Sequence, residues 1–529
     1  MIQDQFSFSE FSFSSTTIRD LVENKAEIAE FLPHFFSLSE ISEQTKRKEF
    51  SQRQRLKLVE ALEIQNRNLD LSELSQANIN KLKDSTTYTI TTGHQLNLLT
   101  GPLYSIYKVA QIISLSRAMN ERDPSNSYVP VFWMATEDHD FEEINHIHLF
   151  GNKIAWDKVG QENRIVGEIE PIDINTFTDP IDEKYRDEHL KEILAQFTSV
   201  YKQSKNLADA TRTIMNKLFA DYGLVIIDGN DASLKQAFVP AAIREINEGL
   251  VQSAVNATNE KLAAAGYHNQ VFVRECNLFY INADGVRQRI SKNGATFQID
   301  DRDFTADELV KMVENSPKQF SPNALLRPVY QELILPNLAY IGGGGEIAYW
   351  LQLNAVFKSL DLTFPLLRVR DSILLLKEKE ISELENLKLT VPDLKRDLHD
   401  LVKDIALEEV KLEIELNGEI DQLKTIKAHL IEKAESINKG LVGMIEAEFS
   451  KMEKSIERIE SKLIKAEKAK HEVKANKIKK LQSKIYPNGG FQERFENFIP
   501  YILNDNQFIS KIVDNLTAQD HPLIRVLEI

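Results

Sequence analysis

Two short apolar runs joined by one long helical pattern constrain this chain more than any other feature. Residues 88–92 (Tyr-Thr-Ile-Thr-Thr) favour a β-strand, and Gly93-His94-Gln95 breaks it. The stretch beginning Leu99-Thr100-Gly101-Pro102-Leu103-Tyr104 then opens a helix that runs through Lys108 to about Met119. The next run, residues 129–135 (Val-Pro-Val-Phe-Trp-Met-Ala), is a buried strand that ends at Glu137-Asp138-His139-Asp140. Two buried strands joined by such a helix lie parallel with a right-handed crossover, so both turns emerge at the carboxyl edge of one sheet. That edge is where open α/β sheets bind ligands. The chain therefore reads as α/β with a parallel sheet, and Gly93-His94-Gln95 is expected to face the acidic cluster across one crevice.

Further elements extend this sheet. Residues 224–228 (Leu-Val-Ile-Ile-Asp) form a third buried strand ending in a carboxylate and Gly229. A strand-like run at 338–341 leads into four glycines, Gly342, Gly343, Gly344 and Gly345, which open a helix carrying Glu346, Tyr349 and Trp350. Free N–H groups at that helix start could hold an anion. Packing rarely needs four successive glycines, whereas close backbone approach to a ligand does. Residues 364–370 give one more strand with two cations, Arg368 and Arg370, expected to be exposed.

Upstream, the Phe and Ser alternation of the first residues reads as an irregular arm, followed by helices at 24–31 and 53–64. Residues 151–185 are polar, contain Pro171 and Pro180, and read as an insertion between sheet elements. Helices are expected at 188–222 and 238–265. Two short strands near 271–273 and 278–281 suggest a smaller antiparallel appendage with a turn at Ala283-Asp284-Gly285.

Beyond residue 393 the chain changes character. Aromatic residues and proline nearly vanish, and Leu416, Ile420, Leu423, Leu430, Ala434 and Ile437 follow spacings of four, three and seven. Ile445, Phe449, Met452, Ile456, Ile459 and Leu463 continue the alternation. This is a heptad seam, interrupted by Gly440 and Gly443, which suggests an antiparallel hairpin of two long helices. Such a seam needs a protein partner, most simply a second copy. With 529 residues, two or three units are expected. The boundaries fall at 1–80 for an arm and helices packing on the core, 81–392 for the α/β core with insertions near 151–185 and 266–330, 393–485 for the coiled coil, and 486–529 for a return to the core.

Charge and cysteine content exclude several classes. A net charge of -16 argues against nucleic acid as the main partner. With Cys276 alone, no intrachain disulfide and no cysteine-based metal site can form, which suits a reducing cytoplasm. Cys276 itself reads as structural, since reactive thiols need an electropositive, partly exposed site. No apolar run approaches the ~20 residues needed to span a bilayer, and no secretory leader is visible, so a cytoplasmic protein free of membrane is expected.

Glu137, Asp138, His139 and Asp140 are the candidate catalytic residues. Three acids and a histidine directly after a buried strand are hard to explain by packing, because each charge needs a partner or solvent. General acid/base work, orientation of an amine, or a divalent cation would fit. His146 and His148 could extend a metal site with His139, which keeps a metal-dependent hydrolase open as an alternative. A coiled-coil scaffold that merely binds a nucleotide is the other alternative.

Taken together, Thr92-Gly93-His94-Gln95, Leu99-Thr100-Gly101-Pro102-Leu103-Tyr104, Phe132-Trp133 with Glu137-Asp138-His139-Asp140-Phe141, Asn145-His146, and Asn277-Leu278-Phe279-Tyr280 resemble the bacillithiol biosynthesis cysteine-adding enzymes. So do Ala339-Tyr340 with the Gly342 loop and Gly345-Glu346-Ile347-Ala348-Tyr349-Trp350, and Tyr486-Pro487-Asn488-Gly489 with Gln492-Glu493-Arg494. The chain departs from the family pattern at His94 and within the glycine loop. The resemblance spans nearly the whole chain and implies a Rossmann-like core with inserted segments plus a coiled coil that supports a homodimer. It also implies the last step of bacillithiol synthesis, in which cysteine is joined to the glucosamine amine of glucosaminyl-malate. ATP with Mg²⁺ would activate the carboxylate, and no tightly bound metal is expected. Asp138 or His139 would orient and deprotonate the amine, with Glu137 and Asp140 placing the cysteine ammonium or Mg²⁺. The binding residues expected around them are Gly93, His94, Gln95, Thr100, Gly101, Tyr104, Lys108, Asn145, the four glycines from Gly342, Glu346, Tyr349, Trp350 and Gln492. Arg368, Arg370 and Arg494 would suit the malate carboxylates, since a guanidinium pairs bidentately with a carboxylate.

Overall fold

The computed structural model describes residues 2–11, 15–158, 160, 163–402 and 416–529. The chain divides into two compact units, Met1–Leu375 with Glu493–Leu527, and Leu376–Gln492 with Glu528–Ile529.

The first unit is built on a five-stranded sheet. Its elements are β1 (Thr87–His94), α1 (Tyr104–Arg122), β2 (Ser127–Met134), β3 (Val225–Asp228), α2 (Arg327–Ile334), β4 (Asn337–Gly342), α3 (Gly344–Trp350) and β5 (Leu366–Val369). The strand order is β5-β4-β1-β2-β3, and every pairing is parallel. Buried on both faces, these strands are continuous apolar or Thr-rich runs, as parallel sheets require. His94 pairs with Met134 in register, so β1 and β2 end level with one another. Helix α1 starts at Tyr104, later than the sequence suggests, because Leu99, Thr100 and Gly101 all take positive φ (46°, 62° and 66°). It is apolar on nearly every side because Phe498, Ile512 and Val513 of the last residues pack in the same core.

Three expectations for the first unit need correction. The expected irregular arm starts as a strand: Ile2–Ser7 pairs antiparallel with Leu523–Glu528 and buries Phe6, and Phe8–Glu10 then makes one 3-10 turn. The helix expected at 24–31 lies earlier, at Thr16–Val22, where Ser15 caps its first turn; Asn24 at φ 54° then breaks the chain direction. Residues 271–273 form no strand, and Phe272 is 87% exposed. The antiparallel appendage is nonetheless present, with strands Arg302–Thr305, Thr296–Ile299, Arg287–Asn293, Leu278–Ile281 and Phe320–Pro322 in that order. The segment at 151–185 contributes Trp156, Ile174, Phe177 and Ile181 to the core despite its polar composition.

The second unit holds the helical hairpin. Asn417–Ile437 and Val442–Ile485 are joined by a turn in which Asn438 Oδ1 accepts from the Gly440 amide at 2.9 Å. Gly443 lies inside the second helix and does not break it. Ala434 and Phe449 are buried in the hairpin, whereas Ile426, Met452 and Ile459 remain about half exposed. Residues 403–415 of the expected helical region lie outside the described residues.

Candidate active site

The carboxyl ends of β1, β2 and β4 surround a cavity of about 460 Å³. At Gly93 a Cβ would lie 3.0 Å from the Tyr340 hydroxyl, so a larger residue would crowd that side chain at the cavity wall. Lys108, carried by α1, donates to the Gly93 carbonyl and to Glu346 Oε2, the latter at 2.7 Å. Tyr340 donates to the same carboxylate. Burial works against the Glu346 charge, but Lys108 and Tyr340 outweigh it and hold the carboxyl below its usual range. Trp350 stacks on Tyr340 with ring centres 4.5 Å apart, and Arg327 donates to the Tyr349 hydroxyl at 2.8 Å. His94 meets Tyr104 edge to face, and burial, with the Lys108 charge adding to it, pushes its pKa down to about 3. Its buried Nε2 has no hydrogen-bond partner among the described residues. An unsatisfied buried nitrogen on a cavity wall marks a place where a ligand group can bind.

Past the end of β2 the acidic cluster divides its work. Asp138 lines the cavity; its Oδ2 accepts from Gln95 Nε2 at 2.9 Å and its Oδ1 from the His139 amide at 2.8 Å. Burial opposes its charge, but the Gln95 bond and the charges of Arg287 and Arg327 prevail, and the carboxyl sits below its usual range. Glu137 pairs with the buried Lys235 at 2.5 Å. His139 packs by Phe279, with Nδ1 3.2 Å from an Arg287 Nη. Asp140 is exposed and caps the short helix Phe141–Ile144, accepting from the Glu143 amide at 3.2 Å.

Residues 1–371 match the family model "Bacillithiol biosynthesis BshC, N-terminal Rossmann-like domain", and residues 373–526 match "Bacillithiol biosynthesis BshC, C-terminal coiled-coil domain". The chain belongs to the BshC family. It is 39% identical to the protein named "Putative cysteine ligase BshC" of Flavobacterium johnsoniae over 96% of each chain. It is also 39% identical to the Flavobacterium psychrophilum relative of the same name, over 100% of this chain and 99% of the relative. The Bacillus cytotoxicus relative is 30% identical over 88% of this chain.

Of the residues that resemblance to the BshC family marked, Gly93, His94, Gln95, Tyr104, Lys108, Asp138, Gly343, Gly345, Glu346, Tyr349, Trp350, Arg370 and Arg494 line the cavity. Others hold structure instead. Thr100 and Gly101 form the positive-φ turn, which Asn497 fastens by donating to the Leu99 and Gly101 carbonyls. Asn145 bonds the Trp156 carbonyl, Gly342 ends β4 against Ile347, Gly344 faces Ile18, and Gln492 belongs to the second unit. Arg368 and Arg370 are buried rather than exposed. Arg368 pairs with Asp371 at 2.9 Å, and Arg370 forks onto both Glu493 oxygens at 2.9 and 2.6 Å. Nor is the glycine turn an open anion cradle, since Glu346 itself accepts from the Gly343 amide at 3.4 Å. His148 stacks on Phe495, and His146 bonds the Glu142 carbonyl, away from His139's partners. Among the described residues no group of three or more His, Cys, Asp or Glu could hold a metal ion. Cys276 is buried, and burial pushes its thiol pKa up to about 12.

Sequence reasoning missed Arg327, Gln270 and Gln331 on this cavity, and Lys235 and Arg287 behind the acidic cluster. Only Arg287 carried a signal: with Arg289 it alternates along a strand just after the turn at Gly285.

Proposed function

We propose that this chain joins cysteine to the amine of glucosaminyl-malate, the last step of bacillithiol synthesis, as a carbon–nitrogen ligase. The observation that carries the reading is Asp138, an ionised carboxylate on the wall of the cavity that the unpartnered Nε2 of His94 also lines. Relatives named as cysteine ligases support it. An amine attacks only as the neutral free base, and its nitrogen then loses one proton as the carbon–nitrogen bond forms and the leaving group departs. Asp138 receives that proton, with Gln95 fixing the carboxylate's orientation. His94 Nε2 and the exposed Arg494 hold the cysteine end.

The cysteine carboxylate needs activation, and we assign this to ATP with Mg²⁺. The Gly342 turn does not supply the phosphate cradle expected of it, because the Glu346 carboxylate takes the Gly343 amide. Homodimerisation through the hairpin belongs to the same proposal.

The test is mass spectrometry of the protein incubated with cysteine, glucosaminyl-malate and Mg²⁺, with and without ATP. Amide product with AMP identifies an adenylate, and product with ADP an acyl phosphate. No product with the complete mixture counts against the reading.

A further inference from the structure

Beside the candidate active site lies a second cavity, also of about 460 Å³, and Trp133, Asp138 and Arg327 wall both. Its chemistry is different. Arg274, Arg287 and Arg289 line it, against the carboxylates Glu137 and Asp138. Glu137 is already neutralised by Lys235. Arg274 and Arg289 are exposed and have no ion-pair partner among the described residues. Arg287 is fixed in place: Nη2 donates to the Pro322 carbonyl at 2.7 Å, Nε to Ser321 Oγ at 3.1 Å, and the guanidinium lies 4.0 Å from the Phe279 ring centre. Arg287 and Arg289 share one face of their strand, and Phe279 pairs directly across from Arg289. Cationic charge therefore exceeds anionic charge in a cavity of ligand-binding size.

We infer that this second cavity is an anion subsite that takes the dicarboxylate end of the acceptor, leaving the amine at its other end to reach Asp138 at the shared wall. Two unpaired guanidiniums match two carboxylates, each able to pair bidentately. The third, Arg287, supplies a rigid positive floor. An acceptor with an acidic end and an amine end needs two neighbouring sites of opposite character, which the shared wall provides. The inference rests on the ligase reading for the identity of the acceptor; the anion site itself does not.

The experiment is titration calorimetry of the full-length protein with L-malate as the probe, and separately with inorganic phosphate. Malate should bind, more weakly as salt is raised. In the double variant Arg274→Ala, Arg289→Ala its affinity should fall about a hundredfold, roughly tenfold per guanidinium. Unchanged malate affinity in that variant, no malate binding by the wild type, or binding of phosphate in preference to malate would each overturn the inference. Kinetics with glucosaminyl-malate separate it from the ligase reading. The double variant should raise the acceptor KM and leave the cysteine KM alone. Loss of malate affinity with no amide product from the wild type supports the subsite and counts against the ligase. Amide product with an unchanged acceptor KM in the variant does the reverse.

Discussion

His139 Nδ1 stands 3.2 Å from a guanidinium nitrogen of Arg287. A guanidinium only donates, so Nδ1 accepts and the ring proton sits on Nε2. Burial and the Arg287 charge both hold the imidazole below its usual pKa. His139 is therefore neutral, and it cannot take up a proton at Nδ1 without giving up Arg287. Below the ordinary histidine value of about 6.5 the unfolded chain gains a proton that the folded chain refuses, so this group's contribution to stability falls as pH drops through that value. In a proton NMR titration, the His139 resonance, assigned with His139→Gln, should have its midpoint below 6.5 and move up in Arg287→Ala. An unmoved midpoint would remove Arg287 from the account.

Asp138→Asn keeps the shape of the side chain and removes its charge. If this carboxylate receives the amine proton, turnover should fall about 100-fold or more, the scale of lost acid/base catalysis. The melting temperature should change little, because the Asn oxygen can still accept from Gln95 Nε2, which stays anchored on Glu143. Full turnover in this variant would move the base elsewhere.

How much of this could be read from the residues depends on how local each determinant is. The apolar runs of β1 and β2, and the turns that end them, are written in consecutive residues, and the crevice followed from their order. The fate of Arg370 is not local. Its partner Glu493 lies 123 residues away, and without that carboxylate the arginine at the end of β5 looks like an exposed cation. Glycine shows the same limit. Gly93 and Gly101 look alike in sequence, yet one lines the cavity close to the Tyr340 hydroxyl and the other serves a positive-φ turn.

The Arg370–Glu493 pair is buried on both sides, with Ser372 also donating to Glu493 at 3.0 Å. Glu493→Ala leaves a guanidinium with no counter-charge in the interior. The expected cost is about 3–5 kcal/mol, read as a lower midpoint in denaturant unfolding. A loss below about 1 kcal/mol would mean that Arg370 finds solvent.

Gly101 has φ 66°, and a Cβ there would fall 2.6 Å from the Asn97 Cβ. Gly101→Ala should therefore destabilise the protein by about 1–3 kcal/mol. Because Gly101 does not line the cavity, the KM for cysteine should hold in the folded fraction. A changed KM with unchanged stability would return this turn to the binding site.

Ile445, Met452 and Ile459 recur every seven residues along the second hairpin helix, and the latter two are 47% and 53% exposed. Met452 and Ile459 are thus left half exposed on the hairpin, and Ile445 is half-buried. A stripe at that period on a helix is the surface that a second helix covers in a coiled coil. In a homodimer the same stripe on each copy meets a self-complementary partner. Met452→Lys with Ile459→Lys places charge on the stripe without removing helix-forming residues. Sedimentation velocity should then give a monomer where the wild type gives a dimer, while far-ultraviolet circular dichroism stays the same. A dimer that persists in this variant would place the interface off the stripe and leave its exposure to another partner.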